Sequence, residues 1–282
     1  MKPSAPGAGL TVLKLGGELL RPGPALADLA KAIAGLAASG PLLIVHGAGR
    51  EIDEECARRG IIPRTTDGLR HTDEATLDAV VAALSAVNVR LVAALADAGV
   101  RAVGLTGVDA HLGLSERTVH ITRSGEAVDL GFVGTPAPGH RPDLALDLVG
   151  TGHLPVIACL GINEAGQVLN VNADTLAAHV ALAAGAARLI VAGGTAGVLD
   201  ADGRTIADVD RALAGQLLAD GRAAAGMIAK LTASVSAADG GVPDVSIVDG
   251  RRLSSDSFSG TRVHGTPRSA AAREGLPCPT RA

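Results

Sequence analysis

Two lysines stand apart in this chain. Lys14 lies near the end of the apolar run Val12-Leu13-Lys14-Leu15, just ahead of Gly16-Gly17, and Lys230 closes Gly226-Met227-Ile228-Ala229-Lys230. Of 25 basic residues only four are lysines, at positions 2, 14, 31 and 230, which leaves 21 arginines. An ammonium is a compact, rotatable point charge, whereas a guanidinium is a planar fork. Lys14 and Lys230, both beside glycines, are therefore candidates for neutralising charge during a reaction, and Lys31 reads as a surface residue. Glycine lets backbone N–H groups close on an anion. Taken alone, Gly16-Gly17 reads equally well as an ordinary strand-to-helix turn with Lys14 snorkelling at its edge.

A second small-residue loop, His46-Gly47-Ala48-Gly49, follows the apolar run 42–46 and opens a helical stretch, a ready site for an anion at a helix N-terminus. Asn170-Val171-Asn172-Ala173-Asp174 clusters two amides and a carboxylate at another helix start, where Asn172 or Asp174 could simply serve as the cap. Arg70, in Thr66-Asp67-Gly68-Leu69-Arg70-His71-Thr72, is placed to clamp a carboxylate with paired hydrogen bonds, or to form an ordinary surface ion pair. Neither GxxxxGK[ST] nor GxGxxG after a strand occurs, so P-loop and dinucleotide-fold phosphate binding are unsupported. The eight histidines show no paired metal-ligand spacing, and no protein-held metal is expected.

These residues need elements to position them. Strand-like runs at 10–15 and 42–46 alternate with helical stretches at 24–38 and from about residue 51, the pattern of βαβ units and a largely parallel sheet. Leu77, Val80, Val81, Leu84, Val87, Leu91 and Leu95 recur at spacings of three and four and predict a helix over 73–98, capped by Thr72. Segments 118–123 and 127–133 flank Ser124-Gly125-Glu126 and predict an antiparallel hairpin, a candidate substrate lid. Beyond it the pattern predicts helices over 142–151, 175–185, 208–219 and 227–238, and strands over 155–160, 188–192 and 245–248. Residues 1–9 read as a mobile leader, and the polar, unpatterned stretch beyond Gly260 reads as a tail.

Composition bounds the rest. With 47% hydrophobic and 19% charged residues the 282-residue chain can bury a core, and one two-lobed α/β domain is expected. Tyr and Trp are absent and the net charge is −4, so neither base-stacking platforms nor a general basic field favours nucleic acid. Cys56, Cys159 and Cys278 lie in separate segments without CxxC spacing, which suits reduced thiols and a cytoplasmic location. No apolar run approaches the roughly 18 residues of a membrane span.

Taken together in order, VLKLGG (12–17), IVHGAG (44–49), DGLRHTD (67–73), GLTGVDA (104–110), DLGFVG (129–134), NVNADT (170–175) and GMIAKL (226–231) resemble the amino acid kinase superfamily. The likeness runs from about residue 10 to 262. It implies a three-layer αβα sandwich around a mainly parallel central sheet, in one domain over 1–265. The N-terminal lobe, 10–165, would bind substrate and dimerise, the C-terminal lobe, 166–262, would bind ATP, and 266–282 would form a tail. Within the superfamily the motifs are those of the branch that phosphorylates the side-chain carboxylate of N-acetyl-L-glutamate in arginine biosynthesis, using ATP with nucleotide-borne Mg2+. By this resemblance Lys14 and Lys230 are the transition-state lysines and Asp174 organises them. Gly16, Gly17 and Gly47 flank the phosphoryl path, and Ala48, Gly49, Arg70 and Asn170 hold the acylated amino acid. Gly194, Thr195, Gly197 and Met227 lie along the nucleotide.

Three features depart from the family pattern. Gly193-Gly194-Thr195-Ala196 lacks an acidic residue many relatives carry, Ala48 replaces the middle glycine of a triple, and Val108 stands where lysine is frequent. A nine-residue leader is too short for the helix that links arginine-inhibited relatives into hexamers, so a homodimer insensitive to arginine is expected. Two other readings remain open to the sequence: a kinase for an acylated 2-aminoadipate, one methylene longer, and a catalytically silent amino-acid-binding regulator.

Overall fold

A computed structural model describes residues 9–122, 124–220, 225–253 and 259–266. The predicted leader up to residue 8, Arg123, Cys278 and the tail from residue 267 lie outside them. The elements run β1 (Thr11–Leu15), α1 (Pro24–Ser39), β2 (Leu42–His46), α2 (Gly49–Arg58), β3 (Thr65–Thr66), β4 (Leu69–Arg70), α3 (Glu74–Asp97), β5 (Ala102–Thr106), β6 (Ser115–Ile121), β7 (Ala127–Pro136) and α4 (Asp143–Gly150). They continue with β8 (Leu154–Ala158), β9 (Leu160–Ile162), β10 (Val168–Val171), α5 (Ala173–Ala183), β11 (Arg188–Gly193), β12 (Asp208–Val209), α6 (Arg211–Ala219), α7 (Ala225–Gly240), β13 (Asp244–Asp249) and β14 (Gly260–Val263).

Eight strands form the central sheet in the order β12-β14-β13-β11-β1-β2-β8-β5. From β13 to β5 all pairings are parallel, and β14 runs antiparallel to β13. On β1, Val12, Leu13 and Leu15 are fully buried although successive side chains point to opposite faces. A strand buried on both faces needs cover on both. Helices α1 and α2 pack on α3, which lies against β5 and β8, while α5 packs on α7 and against β1, β2 and β11. The fold is α/β, as expected. A second sheet, β6-β7-β10-β9, and the short β3-β4 hairpin stand beside the carboxyl ends of the parallel strands.

Helix α3 is long and apolar enough, by length and composition, to cross a membrane, yet Leu77, Val80, Leu84, Val87, Leu91 and Leu95 bury its inner face in the core. Its cap is Asp73, not Thr72. The Asp73 backbone is extended and its carboxylate accepts the Thr76 N–H at 2.8 Å, whereas Thr72 is held by β-type backbone bonds to Leu130 and Phe132.

Other boundaries also move for tertiary reasons. The predicted strand 155–160 divides at Cys159, with β8 in the central sheet and β9 in the smaller one. The predicted helix 208–219 starts three residues late, because β12 joins β14 and Asp210 caps α6 through the Leu213 N–H. Residues 261–263, unpatterned in sequence though inside the 1–265 domain that the resemblance implies, complete β14 with Gly260, and Thr261 and Val263 are buried there. Strand β5 and the β3-β4 hairpin were not predicted. That hairpin turns on Asp67 (φ 50°) and Gly68 (φ 83°), two consecutive left-handed residues, as a tight hairpin turn demands.

Candidate active site

Three loops meet where β1, β2 and β11 end side by side, with Leu15 paired to both His46 and Ala192. In open α/β sheets this carboxyl edge is where ligands bind. The Gly16 N–H donates to Ala192 O at 3.0 Å and the Gly47 N–H to Leu15 O at 3.3 Å, which stitches the loops together. Gly17 is required by packing: a Cβ there would stand 2.9 Å from the Ala48 Cα and 3.0 Å from the Gly49 nitrogen.

Lys14 projects from β1, 3% exposed, and its Nζ is 2.9 Å from Asp174 Oδ1; Lys230 Nζ, from α7, is 3.8 Å from Oδ2 of the same carboxylate. Asp174 is 5% exposed and sits in the first turn of α5. It is free to face the lysines because Asn172 is the cap, accepting the Asp174 and Thr175 N–H groups at 2.9 and 3.1 Å. The positive end of the α5 dipole adds to the stabilisation of the carboxylate. Burial is the main influence that pulls the Lys230 pKa below the ordinary lysine value; the Lys14 charge adds to it, and Asp174 and Glu18 oppose it.

Beside this trio opens a cavity of about 340 Å³, lined by Lys14, Gly16, Gly17, Gly47, Ala48, Gly49, Arg70, Asn170 and Asp174 among others. Arg70 Nη2 donates to Asp53 Oδ1 at 2.6 Å, and its Nη1 is buried with no hydrogen-bond partner. A guanidinium with one arm anchored and the other unpaired at a cavity wall is prepared for a carboxylate oxygen. Asn170 Nδ2 donates to the buried Thr72 hydroxyl, which in turn donates to Arg70 O, so one chain of bonds orients both polar walls. Cys159, also lining the cavity, has its thiol pushed up to about 12 by burial and is neutral. His46, behind the second loop, is held down to about 4 by burial and is likewise uncharged near neutrality.

Thus the residues expected for catalysis, for phosphate and for the acylated substrate come together. The nucleotide-side set does so less fully: Gly194, Thr195, Gly197 and Met227 do not line this cavity. The Gly194 N–H is taken by Glu18 Oε1 at 3.0 Å and its carbonyl accepts from Arg251 Nη1 at 3.3 Å. Gly197 (φ +118°) is explained by packing, since a Cβ would lie 2.6 Å from Thr261 Oγ1. Thr195 is exposed, and Met227, packed on the core, precedes Lys230 by one turn of α7. Of the predicted lid, Thr118, His120, Leu130 and Val133 line the cavity, as do Gly134 and Thr135 just beyond it, while the tip residues 124–126 do not. The β3-β4 hairpin overhangs the same space, and His120 Nε2 meets Asp67 Oδ2 at 2.9 Å, joining the two hairpins. Sequence reasoning missed the site roles of Glu18, Thr72, Asp53 and Asp67; Glu18 is next to the double glycine and Asp67 and Thr72 lie within the Arg70 motif, whereas Asp53 stands outside every motif.

The amino acid kinase family model matches residues 9–249, from the start of β1 to the end of β13. The chain belongs to the amino acid kinase family. As a member it is a kinase, and several curated relatives share one name. Acetylglutamate kinase of Rhizorhabdus wittichii strain RW1 is 39% identical over 248 residues, 85% of this chain and 82% of that protein. Acetylglutamate kinase of Symbiobacterium thermophilum is 40% identical over 214 residues, 74% of this chain and 73% of that one. Among solved structures, smu.665 from Streptococcus mutans UA159 superposes with a TM-score of 0.78 at 25% identity, covering 91% of this chain and 98% of its own. N-acetylglutamate synthase from Neisseria gonorrhoeae, complexed with coenzyme A and N-acetyl-glutamate, also gives 0.78 at 25% identity, covering 92% of this chain and 60% of that one. In this amino acid kinase the fold therefore carries a two-lysine, one-aspartate centre next to a cavity with an unpaired guanidinium arm at its wall.

Proposed function

We propose that this kinase transfers the γ-phosphoryl group of MgATP to the side-chain carboxylate of N-acetyl-L-glutamate, a step of arginine biosynthesis. The observation that carries the reading is the convergence of Lys14 and Lys230 on the single buried carboxylate of Asp174 beside the cavity. In-line phosphoryl transfer asks the protein chiefly for positioning and charge neutralisation. A carboxylate oxygen of the substrate attacks the γ-phosphorus as the bond to the ADP oxygen breaks, giving an acyl phosphate and ADP. No proton moves, because the attacking carboxylate is already ionised near neutral pH, which is why a site without a general base suffices.

In this reading Lys14 and Lys230 follow the charge that passes from attacking to leaving oxygen, and Asp174 holds them apart and aligned. Gly16, Gly17 and Gly47 give the phosphoryl group backbone approach. Arg70 takes the α-carboxylate with its unpaired Nη1, supported by Asn170, Ala48 and Gly49. Gly194, Thr195, Gly197 and Met227 flank the nucleotide.

The relatives at 38–40% identity are named acetylglutamate kinases, which favours acetylglutamate over the acylated 2-aminoadipate. A silent binding module has no need of two buried lysines around one carboxylate. The homodimer and the cytoplasmic location belong to the same reading and are supported by the resemblance of the motifs; light scattering tests the first. The direct test of activity is hydroxylamine trapping of the acyl phosphate with MgATP and either N-acetyl-L-glutamate or N-acetyl-2-aminoadipate. Hydroxamate from the first acid well above the second is expected. The reverse preference, or silence with both, would overturn the assignment.

A further inference from the structure

Glu18 follows the double glycine directly and stands in the short turn Gly17–Leu19 between β1 and α1. Its side chain is exposed, yet it reaches back over the loop. A Cβ on Gly16 would fall within 2.3–2.6 Å of both carboxylate oxygens and their carbon, so the carboxylate lies directly over the Gly16 backbone. It accepts the Gly194 N–H at 3.0 Å. A Cβ on Gly193 would be 3.4 Å from Glu18 Oε1 and 3.0 Å from Lys230 Cε, so this carboxylate and the lysine side chain flank one and the same glycine. Glu18 is also among the residues that line the active cavity.

A slot with three glycine backbones, an aimed N–H donor and a lysine at its side is built for an anion. Here one of the chain's own side chains supplies the anion. We propose that Glu18 is a built-in competitor for the nucleotide's phosphate chain: its carboxylate takes the seat over Gly16 and Gly194 and must leave it when a phosphate group binds, so Glu18 sets the affinity for nucleotide. The inference rests on the reading that ATP delivers its phosphates to this end of the sheet. It also gives Gly194 a meaning. The Gly194 N–H has Glu18 as its partner, and Glu18 is exposed and held there by that one hydrogen bond, so its side chain is able to swing away. Arg251, which holds the Gly194 carbonyl, keeps the turn in place when Glu18 departs.

The test is the dissociation constant for MgADP, measured by isothermal titration calorimetry, with inorganic tripolyphosphate as a second probe that lacks the nucleoside. Glu18→Gln keeps an oxygen that can accept the Gly194 N–H but removes the charge. It is expected to tighten both ligands about five- to tenfold, the scale of one screened like-charge repulsion near a protein surface. Glu18→Asp keeps the charge but draws it back by one methylene, and is expected to tighten binding by a smaller factor. Weaker binding by Glu18→Gln would make the acid a supporter of the nucleotide and overturn the proposal. Unchanged affinity in Glu18→Gln, or Glu18→Asp matching the parent while Glu18→Gln tightens, would remove the seat. Failure of the parent and the variants alike to bind MgADP would refute the nucleotide reading itself, and this inference with it.

Discussion

Replacing Asp174 by asparagine isolates the charge at the centre of the site, because the side chain keeps its volume. Lys14 and Asp174 are 3% and 5% exposed and lie 2.9 Å apart, so the substitution leaves a buried ammonium unpaired, with Lys230 close by and keeping only the charge of Glu18 to offset its own. Removing one partner of a buried pair costs about 3–5 kcal/mol. A ceiling exists as well: a lysine can escape by losing its proton, and neutralising an ordinary lysine at pH 7 costs about 5 kcal/mol. Urea unfolding of Asp174→Asn should therefore show a loss of about 3–5 kcal/mol at pH 7. The pH dependence has a definite sign. Lys230 is already held below the ordinary lysine value and in the variant loses the Asp174 charge that opposes that shift, so the unfolded chain binds more protons and stability rises with pH. The deficit should shrink as pH climbs toward the ordinary lysine value. Lys14→Met in the Asp174→Asn background should recover most of the loss, since a buried pair exchanged for neutral groups of similar size is often nearly neutral. A single variant within about 0.5 kcal/mol of the parent, or strictly additive effects in the double variant, would refute the electrostatic account of the trio.

Three further outcomes follow from the geometry. Burial, followed by the Lys14 charge, lowers the Lys230 pKa, so kcat should fall on the alkaline side at a pH below that of an ordinary lysine; Lys230→Arg should abolish that limb, and a limb that persists would assign it elsewhere. Arg70→Ala should raise KM for the acylated amino acid about 10- to 100-fold, the worth of one charged hydrogen bond, while KM for ATP stays within about twofold; steady-state kinetics with each substrate varied would show an equal rise in both if Arg70 were only structural. Gly17→Ala should lower stability by about 1–3 kcal/mol, because its Cβ meets backbone atoms of the Gly47-Ala48-Gly49 loop at 2.9–3.1 Å. Gly49→Ala, whose Cβ meets nothing within 4 Å, should leave the melting temperature nearly unchanged, and equal effects of the two alanines would contradict the loop contact.

The parts of the fold legible in the sequence are those in which one local pattern decides the outcome. Helix α3 shows itself through seven apolar residues at helical spacing, and β2 through an apolar run bounded by proline and glycine. The misread parts depend on partners distant in sequence. Asp208–Val209 looks helical until β14 arrives to pair with it, and residues 261–263 look like tail because a four-residue strand has no period of its own to read. Cys159 ends β8 because the chain must pass from one sheet to the other there, a demand set by topology alone. In the site, Lys14, Asp174 and Lys230 were legible because residue type and glycine context single them out. Asp53 and Thr72 were not, since their roles exist only through Arg70 and Asn170, which they hold in place.

The charge inventory of the centre links these observations. Lys14 and Lys230 bring two positive charges, and Asp174 and Glu18 two negative ones, but the two carboxylates are not equivalent. Asp174 is buried, fixed in the first turn of α5 with Asn172 as the cap, and cannot move without unpairing both lysines. Glu18 is exposed, on a three-residue turn, and tied by one hydrogen bond to a loop nitrogen. An incoming phosphate chain brings negative charge to a site whose own charges already balance, so the binding of one anion favours the departure of another. The carboxylate whose release exposes the least buried charge is Glu18. A centre organised in this way keeps its lysines aligned by the fixed acid and tunes its affinity through the movable one, and the division follows from where each carboxylate sits: one in the first turn of a helix, the other on a glycine-rich turn.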